Sequence, residues 1–299
     1  MILLHTCLYY ILIYIYIYKP SEEIDKKNIK DIKTTFDEVL NSYRQIINAS
    51  SMFEDLINSL NPYKTKIKLI RCLAIGSFHQ DLPARYQLAL LLEIIQYLSS
   101  HSTDNNNNEQ QSITVSIYDP IFDKDDLDYI STKQQKENWK LEESMPFVSS
   151  NDLTLFFLPH APLNLTETIL NIERPKLCLA NNIITHTDRY TKLQLFEKYP
   201  FISKLVHSLE STTQPIIPKD IETENDQFET FISKKNKRRN RNNNNKHIIY
   251  KEPTIDYDSI DTYFKNCSIL TDFNNGKLLK DIKNTWINSF SDLTLHLIE

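Results

Sequence analysis

Glycine is almost missing from this sequence: Gly76 and Gly276 are the two in 299 residues. That scarcity excludes collagen-like and Gly-rich RNA-binding chains, and it removes both G-x-G-x-x-G and the P-loop as phosphate cradles. Cysteine is sparse as well. Cys7, Cys72, Cys178 and Cys267 are widely spaced and form no C-x-x-C pair, zinc pattern or disulfide framework, which fits a reducing compartment. With 40% hydrophobic, 24% charged and 11% aromatic residues, the composition supports one sizeable core.

The formal charge is -5, yet Lys234 to Lys246 (KKNKRRNRNNNNK) carries seven Lys/Arg and no acid, so the remainder is more acidic still. An acidic surface repels phosphate backbones, and no direct nucleic-acid binding is expected of the folded part. The basic tract has the character of a nuclear-import signal or of a solvated linker. At the other end, Met1 to Tyr18 (MILLHTCLYYILIYIYIY) is uncharged and apolar. It lacks the basic n-region and small-residue cleavage site of a signal peptide and is short for an anchor, so it reads as an anchor or as translated upstream DNA.

Apolar residues recur at three and four from Ile24 to Leu60, the pattern of two amphipathic helices forming an amino-terminal extension over 21–66. A strand is expected at Lys68 to Ile75 and a helix from Pro83 to Leu98, followed by a low-complexity loop over Ser99 to Ser112. Further strands are expected at Ile113 to Tyr118, Leu153 to Leu158 and Lys176 to Ala180. Helices are expected around Lys124 to Ile130, from Leu163 to Asn171 and from Arg189 to Leu209. Strands alternating with helices predict an α/β fold: a doubly wound, Rossmann-like parallel sheet with helices on both faces, over 67–210. Residues 211–247, acidic and then basic and Asn-rich, read as a disordered insertion. Residues 248–299 return to the domain, with helical patterns at Ile255 to Tyr263 and Leu278 to Ile287 and a last strand at Leu293 to Ile298.

In an open parallel sheet, ligands bind outside the carboxyl ends of the strands. Here those ends carry Gly76, Ser77, Asp119, His160, Asn181 and Asn182, the candidate ligand-binding residues. Asp119 ends the second strand, where nucleotide-binding folds place the carboxylate that accepts from a ribose hydroxyl. Each residue also has a plainer reading: Asp119 before Pro120 initiates a turn, His160 after Pro159 is a hydrogen-bonded core histidine, and Asn181-Asn182 caps the next segment. Gln87 is placed to satisfy a buried backbone group. The order Ser77, Asp119, His160 matches the α/β-hydrolases, but Ser77 lacks the second glycine of G-x-S-x-G, and no catalytic residue is assigned. A metal set of His79, His160 and His186 has no i, i+4 pair or nearby thiolate behind it, so no metal is assigned.

Four blocks, Leu73 to Leu92 (LAIGSFHQDLPARYQLALLL), Val115 to Asp123 (VSIYDPIFD), Thr154 to His160 (TLFFLPH) and Leu179 to Ile184 (LANNII), occur in order, with Phe290 to Leu297 (FSDLTLHL) as a weaker fifth. In these blocks the sequence resembles the SRR-like proteins, named for sensitivity to red light reduced, which have fungal members. Phe78, Gln87, Pro120, Phe122, Pro159 and Asp292 belong to the matching motifs. Two positions depart from the pattern, Ala74 and Ala180, where the family usually has glycine that lets backbone approach a ligand closely. The resemblance implies a non-enzymatic regulatory protein of the cytoplasm and nucleus, with a protein partner and room for a small-molecule ligand of unknown identity. It also implies links to light signalling in plants, and to microtubule-drug sensitivity and haem biosynthesis elsewhere. The alternative is a small-molecule or nucleotide-binding enzyme using the carboxyl edge of the sheet.

Overall fold

The structure, a computed structural model, describes residues 35–100, 112–143, 153–213, 254–280 and 289–299. The apolar segment 1–20, the Asn-rich loop from 101 and the basic tract lie outside the described residues. Two helices open the described chain: α1 (Phe36–Asn48) and α2 (Ser51–Leu60). They are separated at Ser50, whose hydroxyl caps α2 by accepting from the Phe53 N–H at 3.2 Å. Then follow β1 (Ile67–Leu73), α3 (Leu82–Ser99), β2 (Thr114–Tyr118), α4 (Lys124–Lys136), β3 (Trp139–Leu141) and β4 (Leu153–Leu158). The chain continues through α5 (Leu163–Ile172), β5 (Leu177–Asn181), α6 (Ile183–Thr187), α7 (Lys192–Lys198), α8 (Pro200–Thr213), β6 (Cys267–Thr271), α9 (Lys277–Lys280) and β7 (Leu293–Ile298).

The strands form one mixed sheet in the order β3-β2-β1-β4-β5-β7-β6. All pairings from β3 to β5 are parallel, which establishes the α/β architecture expected from the alternating pattern. The expectation of a wholly parallel sheet is corrected at one edge, where β7 runs antiparallel to both β5 and β6. The helix expected over Arg189 to Leu209 is two, since Thr191 caps α7 with a capping box and Pro200 opens α8; the short α6 before them is capped by Asn182. The helical pattern of Ile255 to Tyr263 yields a single 3-10 turn at Tyr257–Ser259, and β3 and β6 are strands the periodicity did not show.

Sequence order divides the layers. From β1 the chain steps outward to β2 and β3, and from β4 it steps the opposite way to β5, so β1 and β4 flank the switch point of the sheet. Ile70, Val115, Leu155 and Leu179 face a core shared with α1, α2 and α3. Phe156, Cys178 and Ile298 face a second core with α5 and α8. Helix α3 is buried along most of its length. Leu88, Leu90 and Leu91 are fully enclosed, each contributing roughly 1.5–3 kcal/mol by burial. Helix α1 is clamped on α3 by stacking of Tyr43 on Tyr86 at 4.1 Å and by Arg44 and Asn48, which hold the Glu93 carboxylate at 2.6 Å each. In β1, Arg71 is wholly buried on the second face, paired with Glu173 at 3.1 Å and donating to the Ser116 hydroxyl at 2.7 Å. A guanidinium is tolerated there because each of those oxygens gives it a partner.

Candidate functional site

The carboxyl edge of the sheet gathers every residue that the sequence singles out as a ligand candidate. Strand ends of β1, β2, β4 and β5 point there. The antiparallel β7 begins there, with Leu293 opposite Asn181.

At the β1–β2 half, the chain leaves β1 through Ala74 (φ 54°) and Gly76 (φ 84°). Gly76 is required twice over: its backbone is left-handed, and a Cβ would lie 3.1 Å from that of Ala84. Ala74 occupies the left-handed region at the very position where the family pattern has glycine. The Gly76 N–H donates to Asp119 Oδ2 at 2.8 Å and the Ile121 N–H to Asp119 Oδ1 at 3.1 Å, so this carboxylate ties the two loops together. Ser77 is buried, and among the described residues its hydroxyl has no hydrogen-bond partner.

Two residues on, the His79 N–H donates to Asp126 Oδ1 at 3.0 Å and its ring Nδ1 lies 2.8 Å from the same oxygen. Asp126 Oδ2 accepts from Asp123 N–H while Asp123 Oδ1 accepts from Asp126 N–H, a reciprocal cap on α4. Gln80 Nε2 completes the lattice by donating to Asp123 at 2.8 Å. The Asp126 N–H and the Gln80 amide hold the Asp123 carboxyl below its usual range. His79, Asp123 and Asp126 bring potential metal-ligating atoms within 4.8 Å of one another. Their oxygens, however, are taken by loop and helix donors, which is the chemistry of a cap. Phe36 stacks on the His79 ring at 3.9 Å, and the buried Phe78 packs on Phe122 at 5.7 Å.

The β4–β5–β7 half is built differently. Pro159 is buried and His160 is exposed beyond it. Asn182 accepts from the Ile184 and Thr185 N–H groups, capping α6, and its own N–H donates to the Asp292 carbonyl at 2.6 Å. Although the His160 side chain reaches solvent, the protein packed around its base partly desolvates the ring and lowers its pKa, and the Asp292 carboxylate opposes the shift. His186 is lowered by burial and by Arg189, again with Asp292 opposing. His79 thus belongs to Asp126, whereas His160 and His186 both lie in the electrostatic field of Asp292. Behind them, a cavity of about 30 Å³ is lined by Asn181, His186, Cys178 and the buried His296. It has the size of one or two water molecules. Burial pushes the His296 pKa down to about 4, and its Nε2 has no protein partner.

Gln87 does what the plainer reading expected: its amide donates to the Ser289 carbonyl at 2.9 Å. Sequence reasoning passed over Asp123, Asp126 and Gln80 as site residues. The first two carried a signal, since Asp followed by a second Asp three residues on at a helix start is a capping pattern.

Fold and edge together define a doubly wound α/β protein whose polar carboxyl edge is held by internal hydrogen bonds on one side and carries two histidines in the field of one aspartate on the other. A family model described as the SRR1 domain matches residues 53–297, and the chain belongs to that family. No solved structure matches it. Among the described residues, no helix is long and apolar enough to cross a membrane.

Proposed function

We propose that this chain is a non-enzymatic regulatory or interaction protein of the cytoplasm and nucleus, acting through a protein partner. By its family, the processes it would affect are microtubule-related, haem-related or signalling ones. One observation carries the reading: Asp119, at the position where a nucleotide-binding fold would accept from a ribose hydroxyl, gives one oxygen to Gly76 N–H and the other to Ile121 N–H. A side chain engaged in this way supports loop geometry. Asn182 is likewise engaged, as a helix cap.

A second reading, a small-molecule-binding enzyme, draws on the other half of the edge, where the charge of Asp292 acts on both His160 and His186. Native mass spectrometry of the chain purified from its own cytosol, beside a His160→Ala, Asp292→Ala variant, separates the two. A parent that carries protein partners and no small molecule is expected. A stoichiometric small molecule on the parent, lost from a still-folded variant, overturns the regulatory reading in favour of the second.

A further inference from the structure

Among the described residues five large aliphatic side chains are exposed: Leu82, Ile121, Leu127, Ile172 and Leu193. Three of them ride on the two loops of the β1–β2 half. Leu82 is the first residue of α3, Ile121 follows β2 and is 58% exposed, and Leu127 lies in the first turn and a half of α4. The contacts Gly76–Asp119, His79–Asp126 and Gln80–Asp123 lock these loops to each other. The three aliphatic groups therefore stand on segments tied to one another, in the half of the edge where Phe78 packs on Phe122 and Tyr129.

Scattered exposed leucines are ordinary, but exposed aliphatics concentrated on tied loops mark an interaction surface. The charge around them is mainly acidic, and the nearby Arg85 turns its guanidinium to the Phe78 and His79 carbonyls. Asp81, Asp125 and Asp128 are exposed beside the aliphatic groups, and from Asp119 to Asp128 the single cation is Lys124. The positive ends of α3 and α4 account for acids in a first turn. They do not account for aliphatic side chains left in water there.

We propose that this half of the carboxyl edge is a docking surface for a basic amphipathic segment of a partner protein: two or three large apolar side chains flanked by lysines or arginines. The apolar groups would cover Ile121, Leu127 and Leu82, while the cations would meet Asp81, Asp125 and Asp128. The acidic rim disfavours a nucleic acid at the same surface. This proposal rests on the interaction reading above and names the chemistry of the partner.

The test is fluorescence anisotropy of a labelled Lys/Leu peptide, with leucines at helical spacing, titrated with the full-length chain. A control peptide of equal charge has every leucine replaced by glutamine. The Lys/Leu peptide binds and the control binds at least about tenfold more weakly, because the aliphatic contribution is missing. Ile121→Ser with Leu127→Ser weakens the Lys/Leu peptide by about tenfold or more, on the same reasoning. Leu82→Ser alone, at a separate exposed position, weakens it by about threefold or more. Asp81→Asn with Asp125→Asn and Asp128→Asn weakens it at low salt, and the difference shrinks at about 0.5 M salt. Equal binding of the two peptides, or full affinity in both aliphatic variants, overturns the proposal. Failure here while mass spectrometry finds a protein partner leaves the interaction reading standing elsewhere on the molecule. A bound small molecule instead removes that reading itself.

Discussion

The two halves of the carboxyl edge put the same residue types to opposite uses. Around β1 and β2, Asp119, Asp123 and Asp126 accept from backbone or side-chain donors on a neighbouring loop, and the result is a rigid platform. Around β4, β5 and β7, His160 is exposed, and it and His186 both lie in the field of the Asp292 carboxylate, so these groups keep chemistry to offer. A polar residue at a strand end is thus a binding group only where the fold has not already used it.

The largest effect that would break this comparison lies in the tied half. Asp126→Ala removes the acceptor of three donors in a buried site and is expected to cost about 3 kcal/mol, read from urea unfolding. A loss below about 1 kcal/mol would show that the loops are not held by their carboxylates.

The open half should carry the pH dependence. His296 has a folded pKa of about 4, below the unfolded value of 6.5, so the unfolded chain binds the proton first. Stability is full above pH 6.5 and is lost as pH falls from there to about 4, at up to roughly 1.4 kcal/mol per pH unit. Equilibrium unfolding across that window checks the slope, which His296→Leu should flatten. Asp292→Asn, by removing the opposing carboxylate, should lower the His160 and His186 pKa values further, as read by NMR titration.

A paired measurement sharpens the contrast at intermediate size. Asp119→Ala should destabilise by about 1–2 kcal/mol, whereas His160→Ala, at an exposed site, should stay within about 0.5 kcal/mol. Equal losses would mean that both halves are structural. The smallest effect is Ala74→Gly. It relieves left-handed strain of about 1–2 kcal/mol but adds about 0.5–1 kcal/mol of unfolded-state entropy, so thermal unfolding should register a gain between zero and about 1.5 kcal/mol.

Much of the frame was legible in the chain. The run LTLFFL reads as a buried strand because six apolar or β-branched residues in succession suit a strand covered on both faces, and β4 spans those residues. Strand β3 escaped because three residues are too few for a period to register. The orientation of β7 escaped because alternation along the chain does not record which way a returning segment runs. The site was legible in part: its location came from the topology rule, and Gln87 and Asn182 do the duties expected of their types.

What the sequence by itself determined is most of the longer elements and their alternation, because hydrophobic periodicity and caps act over a few residues. Tertiary structure alone decided which polar groups are occupied. Gly76 meets Asp119 across 43 residues, His79 meets Asp126 across 47, and Gln87 meets Ser289 across 202. Such partnerships come into being only when the sheet order brings the loops together, and they are what separates a platform from a site.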